Sequence, residues 1–166
     1  MTLGELIENC LYLAEEIAGK EETAEKEATA EKKAAAGMEA AAGMEAAAGM
    51  EAAVGKEADG IARFRGFVQS AFPVSAFREP PLRKDAARIF HIFLLEIAGE
   101  RDREWGEFAG LRDVYDCRIC ANAIAQVCLR GILQPAAPGV FAGDRILSGA
   151  EAEEALQRLG RFLAAS

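Results

Sequence analysis

The chain has 166 residues, a formal net charge of −8 and a hydrophobic share of 51%, but 35 of its residues are alanine. Residues 20–60 contain 15 of those alanines, no aromatic residue, and ten acidic residues against five lysines, so this tract carries −5 of the net charge. An acidic chain excludes non-specific nucleic-acid binding, which needs clustered Lys and Arg to neutralise phosphates. No apolar run approaches the roughly 18 residues of a membrane span. The segment Met1–Gly19 holds Glu5, Glu8, Glu15 and Glu16 and no basic n-region. It therefore does not read as a signal peptide, and the expectation is a cytoplasmic chain; the alternative is the cell surface, if the chain is a fragment or its true start lies upstream.

Thr2 and Glu5 have the spacing of a capping box. Leu3, Leu6, Ile7, Cys10, Leu11, Ala14 and Ile17 then recur at the interval of a helix with one buried face, so residues 1–19 read as an amphipathic helix that needs a partner surface. The 20–60 tract repeats a hexapeptide, with Gly37-Met38-Glu39, Gly43-Met44-Glu45, Gly49-Met50-Glu51 and Gly55-Lys56-Glu57. Six residues turn a helix by about 600°, so successive methionines fall about 120° apart and form no seam. Four glycines at about 1 kcal/mol each nearly cancel the alanines' helix preference. The tract reads as a low-complexity linker or a marginal, solvated helix.

The composition changes at Ile61. Ile61, Phe64, Phe67, Val68 and Phe72 predict a short helix ending near Pro73. A second helix is expected from Leu82 to Ala98, with Ala86, Ile89, Phe90, Phe93, Leu94 and Ile97 inward and Gly99 as its stop. Residues 100–107 are charged and expected at the surface, apart from Trp105. Asp116 is placed to cap a helix from Cys117 to Arg130, with Ile119, Cys120, Ala123, Ile124, Val127 and Cys128 on its buried side. After a turn-rich loop, Ser148 and Glu151 form the best capping box in the chain, opening a helix with Ala152, Ala155, Leu156, Leu159, Phe162 and Leu163 inward. Only Gly139-Val140-Phe141 suggests a short extended piece. The fold class predicted is all-α, with residues 61–166 forming the domain.

Leu111-Arg-Asp-Val114, Ala123-Ile124, Val127, Gly131-Ile132, Phe141 and Ser148-Gly-Ala-Glu151-Ala152 together resemble the S-layer homology (SLH) repeat. That family's pattern runs Asp-Val, an Ala-Ile helix, Gly-Ile, a loop ending in Phe, and Ile-Thr-Arg-Ala-Glu opening a second helix. Leu82-Arg83-Lys84-Asp85-Ala86-Ala87 is similar to the same closing motif of a preceding repeat. The resemblance covers roughly residues 61–164, one fairly complete repeat and one degenerate one. It implies a non-catalytic module that binds an anionic cell-wall polysaccharide. Position by position, Arg83 matches the motif's Arg and Asp85 its Glu. Ser148 and Glu151 match Thr and Glu in the second copy, where Gly149 stands in place of the Arg; in the first copy Leu82 replaces the Thr. The binding residues so implied are Arg83, Asp85, Ser148 and Glu151; Trp105 and the cations Arg63, Arg65 and Arg78 are weaker candidates beside them. A protein partner, or a cytoplasmic scaffold or self-association role without glycan binding, is the alternative.

Cys117-Arg-Ile-Cys120 is the sharpest chemical signal, with Cys128 eight residues on. A dithiol at a helix start favours thiolate, and with His91 the three cysteines would make a zinc set. Against both, the sequence has no βαβ context and no second CxxC, and Cys120 and Cys128 fall at core spacing. Packing is the leading reading of these cysteines, and without a signal peptide they are expected to be reduced; a thiol or zinc module is the other reading. His91 beside Phe90 and Phe93 reads as a structural histidine. Trp105, with Tyr115 and Arg112, reads either as a sugar-stacking surface or as a lid on the core. No cofactor motif and no catalytic constellation is present, so the chain is not expected to be an enzyme.

Overall fold

The computed structural model describes residues 1–17, 19 and 59–165, and the expectations for the hexapeptide tract lie outside them, Asp59 and Gly60 excepted. The described residues form five α-helices and no strand: α1 over residues 3–17, α2 over residues 59–71, α3 Arg83–Glu96, α4 Arg118–Leu129 and α5 Gly149–Ala164. Two 3-10 turns, Val74–Arg78 and Gly106–Gly110, link them. The all-α fold class is therefore correct. Asp59 and Gly60 are helical, so the helix preceding Pro73 includes two residues assigned above to the linker.

Local chemistry explains the helix ends. Thr2 and Glu5 close their box in both directions, with Glu5 N–H on Thr2 Oγ1 at 3.2 Å and Thr2 N–H on Glu5 Oε2 at 2.7 Å. Ser148 and Glu151 do the same at the start of α5. At the end of α4, Gly131 adopts φ 68°, and Ile132 N–H reaches Val127 O while Gly131 N–H reaches Cys128 O. Those are the two bonds of a Schellman stop, which needs a residue tolerant of positive φ. The start of α4 differs from expectation. Its N-cap is Cys117, not Asp116, and no side chain caps it. Ile119 is 76% exposed, because the outer side of the first turn faces solvent together with Tyr115.

α3 and α4 form the central pair. Ile89, Phe90, Phe93 and Leu94 of α3 meet Ile124, Val127 and Cys128 of α4 in one fully buried cluster, joined by Leu6 and Cys10 of α1, Phe64 of α2 and Leu159 of α5. Alanines at 121, 123 and 125 keep α4 slim enough to be buried nearly all round. α2 runs back along α3: Phe64 meets Phe93 edge to face at 5.9 Å, Arg63 pairs with Glu96, and Gly60 lies directly against the Glu96 carbonyl. α1 lies along α5, with Met1 near Gly149 and Leu13 near Gly160, so its apolar face finds the C-terminal partner the periodicity demanded.

Candidate functional site

The starts of α3 and α5 meet, and charged side chains gather at this junction. Leu82 cannot cap α3 with its side chain, so the first amides of the helix need other acceptors. They find them in the loop before α5: Arg83 N–H bonds Arg145 O at 2.9 Å and Lys84 N–H bonds Gly143 O at 3.0 Å. Leu82 and Ile146 form an antiparallel bridge, and Leu147 N–H closes it on Pro81 O at 2.8 Å.

Arg83 is at the centre of this junction and only 2% exposed. Its Nε donates to Phe141 O at 2.9 Å, one terminal nitrogen to Glu151 Oε1 at 2.9 Å and the other to Gln134 O. The guanidinium also lies over the Phe141 ring, 4.7 Å from its centroid. Burial pulls its pKa below the ordinary range, against the opposing field of Glu151. Glu151 serves two masters: besides its box with Ser148 it accepts from Arg83 and Arg145. Burial works to raise its carboxyl, but the Ser148 amide and hydroxyl and Arg145 outweigh that, and the pKa lies below its ordinary value. Asp85 does not reproduce the reciprocal bond of the motif's Glu. Its nearest cation is Arg88 at 3.9 Å, and burial raises its carboxyl, with Arg88 and Lys84 only partly compensating.

Two recesses flank the junction. One, of about 180 Å³, is lined by Arg83, Gln134, Arg145, Glu151, Glu154 and Arg158. Its accessible cations are Arg145, with a side chain 49% exposed, and Arg158, which bonds Glu154 at 2.6 Å. The other, of about 250 Å³, lies between the loop 142–145 and the start of α4, and Arg145 and Cys117 both line it. Asp113 holds the loop in place, accepting from the Phe141 amide at 2.9 Å and the Ala142 amide at 2.6 Å. Ala142 sits at φ 59°, a strained conformation that this carboxylate stabilises.

Cys117 and Cys120 are joined as a disulfide, contrary to the expectation of reduced thiols. The physical reason is local: the extended N-cap backbone of Cys117, with φ −122° and ψ 96°, leads into a turn whose third residue is Cys120, leaving the Cα atoms 5.2 Å apart. Cys10 and Cys128 are free and buried; burial pushes the Cys128 thiol up to about 12 and raises that of Cys10 further. Paired sulfurs are not available to zinc, and among the described residues no three His, Cys, Asp or Glu side chains are grouped to hold a metal ion. His91, the fourth member of the set considered above, bonds Asp102 through Nε2 at 2.6 Å.

The other residues singled out in the sequence are scattered. Trp105 is partly buried against the core, its Nε1 donating to Asn122 Oδ1 at 2.9 Å and its ring tilted over Tyr115 at 5.8 Å. Arg112 bonds the Pro138 carbonyl at the loop instead. Arg63 is paired with Glu96, Arg65 borders an apolar groove with Ile7, Val68 and Phe77, and Arg78 lies exposed in the first 3-10 turn. None of these three lines either recess at the junction. The segment 100–107 lies at the surface as expected, apart from Trp105 and the half-buried Glu100. Glu100 receives Arg130, whose side chain is 1% exposed, and Gln126, fully buried, holds the Arg103 backbone through both its amide ends. Arg145, Arg158 and Asp113 carry the junction yet were not singled out by sequence; only the Asp-Val pattern pointed at Asp113. No helix among the described residues is long and apolar enough to cross a membrane. Compared with protein-family models, curated proteins and solved structures, the chain shows no significant match.

Proposed function

We propose that the protein is a non-catalytic binding module of the S-layer homology kind, and that it takes an anionic cell-envelope glycan at the recess between the starts of α3 and α5. The observation that carries the reading is the meeting of the two motif copies. Arg83 of the first bonds Glu151 of the second at 2.9 Å, and their flanks pair through Leu82 and Ile146. Segments that resemble the two halves of a repeated module are thus each other's closing surface. Arg83 is spent on that junction, so the anion contact passes to Arg145 and Arg158, the accessible cations of the recess. Arginine suits this role because its planar fork donates two parallel bonds to a carboxylate or phosphate.

The test is co-sedimentation of the purified protein with cell-wall sacculi that retain their polysaccharide. Wild type should pellet, and the double variant Arg145→Ala, Arg158→Ala should bind at least about tenfold more weakly, as expected for two lost charge-assisted contacts. Failure of the wild type to pellet with sacculi of several wall chemistries would overturn the reading. Arg83→Ala is the wrong probe, because loss of binding there would report a damaged fold.

A further inference from the structure

We propose that the Cys117–Cys120 disulfide is a thiol-exchange site, entered through Cys117 by small thiols that carry no net negative charge. The pair encloses a single turn, with only Arg118 and Ile119 between the two cysteines. A cross-link stabilises chiefly by removing the freedom of the loop it closes, and this loop is almost the shortest there is. The same turn is already fixed by the bond from Cys120 N–H to Cys117 O at 2.9 Å. The disulfide therefore has little to hold, and its chemistry is the better account of it.

The two sulfurs are not equivalent. Cys120 is 1% exposed and packed in the core, whereas Cys117 is partly exposed and lines the recess of about 250 Å³, which has room for a small molecule. Cys117 sits at the N-terminal end of α4, a helix of 12 residues, where a thiolate is favoured once the bond opens. The remaining cysteines are buried, so exchange stays within the pair. The charge of the recess sets the substrate class. Lys84 is engaged by Asp144 and Arg145 by Glu151, while Asp113 is committed to two loop amides and Asp116 adds a further negative charge. Three carboxylates against two cations leave this lining net negative, and the Arg145 guanidinium turns to Glu151 at the neighbouring recess, so an anionic thiol is disfavoured here where a neutral or cationic one is not.

In the step, the thiolate of a small thiol attacks Cys117 Sγ. The Cys117–Cys120 bond breaks, its electron pair goes to Cys120 Sγ, and that sulfur takes up a proton. A second thiolate attacks the outer sulfur of the mixed disulfide, releasing a small disulfide and the Cys117 thiolate. Two thiols are oxidised to one disulfide as the protein's disulfide is reduced to two thiols, and a small disulfide drives the reverse.

The experiment begins with a thiol count on denatured, full-length protein purified without reductant: two reactive thiols are expected, and four would overturn the proposal. Reduction rates are then compared for 2-mercaptoethanol, cysteamine and mercaptoethanesulfonate at equal thiolate concentration, each relative to its rate on a small soluble disulfide. The sulfonate should be slower by about tenfold, a gap that closes in molar salt; equal relative rates would overturn the charge argument. Finally, Cys120→Ser treated with cystamine should form an adduct at Cys117, and Cys117→Ser should leave Cys120 unmodified. If either variant fails to fold, peptide mapping of the adduct trapped during partial reduction of wild type gives the same assignment. An adduct on Cys120 as abundant as that on Cys117 would refute it.

Discussion

Replacing Arg83 with methionine should destabilise the fold far more than an ordinary surface arginine does. The side chain is 3% exposed and supplies three bonds, to Phe141 O, Gln134 O and Glu151. Methionine matches the aliphatic stem of arginine but not its guanidinium head, so the loss is chiefly polar: two loop carbonyls are left without this donor, at about 1–3 kcal/mol each when buried. Glu151 is partly compensated, because it keeps Ser148 and Arg145 and its side chain is 30% exposed. The lost cation–π contact with Phe141 adds about 1 kcal/mol. Solvent reaching the loop and relaxation take some of this back, so the expected loss is about 3–5 kcal/mol, in line with breaking a buried pair from one side. Against a typical total of about 5–15 kcal/mol this is a third or more of the stability. Urea unfolding followed by far-ultraviolet circular dichroism measures it, as a lower midpoint at unchanged slope. Arg83→Lys should recover only part of it, since one ammonium cannot span three acceptors. A loss below about 1 kcal/mol for Arg83→Met, within the range of a surface substitution, would refute the view that this guanidinium pins the junction.

Gly60→Ala should cost about 1–3 kcal/mol despite alanine's better helix propensity, because a Cβ there would fall inside the contact distance of the Glu96 carbonyl and force α2 away from α3; a gain in melting temperature would contradict that packing. For pH, the folded-state pKa of Glu151 lies below its ordinary 4.5, so its contribution is fully present above that value and is lost as the pH falls through the lowered one. Glu151→Gln should therefore flatten the decline of stability below pH 4.5, measured as urea midpoints across an acid series; an unchanged acid limb would count against the pairing. Asp85 acts in the opposite sense, since burial raises its pKa, and its ionisation above 3.8 detracts from stability.

The helices were legible because their signals are local. Thr2 with Glu5 and Ser148 with Glu151 are boxes within four residues, and Gly131 after Cys128 marks a stop that needs only a residue free to take positive φ. The junction was legible as a pair of related segments but not as a contact. Nothing in the sequence says that Leu82, a residue unable to cap, is answered by the carbonyls of Gly143 and Arg145. For the same reason Arg83 was assigned to the ligand and Arg145 overlooked: burial of a charge depends on which distant carbonyls surround it. The redox state of Cys117 and Cys120 was misjudged by reasoning from the chain's destination, whereas the backbone at Cys117 decides whether two sulfurs one turn apart can meet. The segment 100–107 was legible from its charge, except that Glu100 is drawn partly inward by Arg130.

The bridge between Leu82 and Ile146 has a consequence for how the protein reaches its structure. The partners of Arg83 lie 51 to 68 residues further along the chain. Closing a loop of that size costs conformational freedom before any contact repays it. The first amides of α3 gain their protein acceptors only when the segment that opens α5 arrives, and Glu151 gains its buried counter-charge in the same event. The starts of α3 and α5 therefore mature together and not one after the other. Forming the junction needs a long-range encounter, so changes in the loop from Gln134 to Arg145 should lower the folding rate as well as the stability.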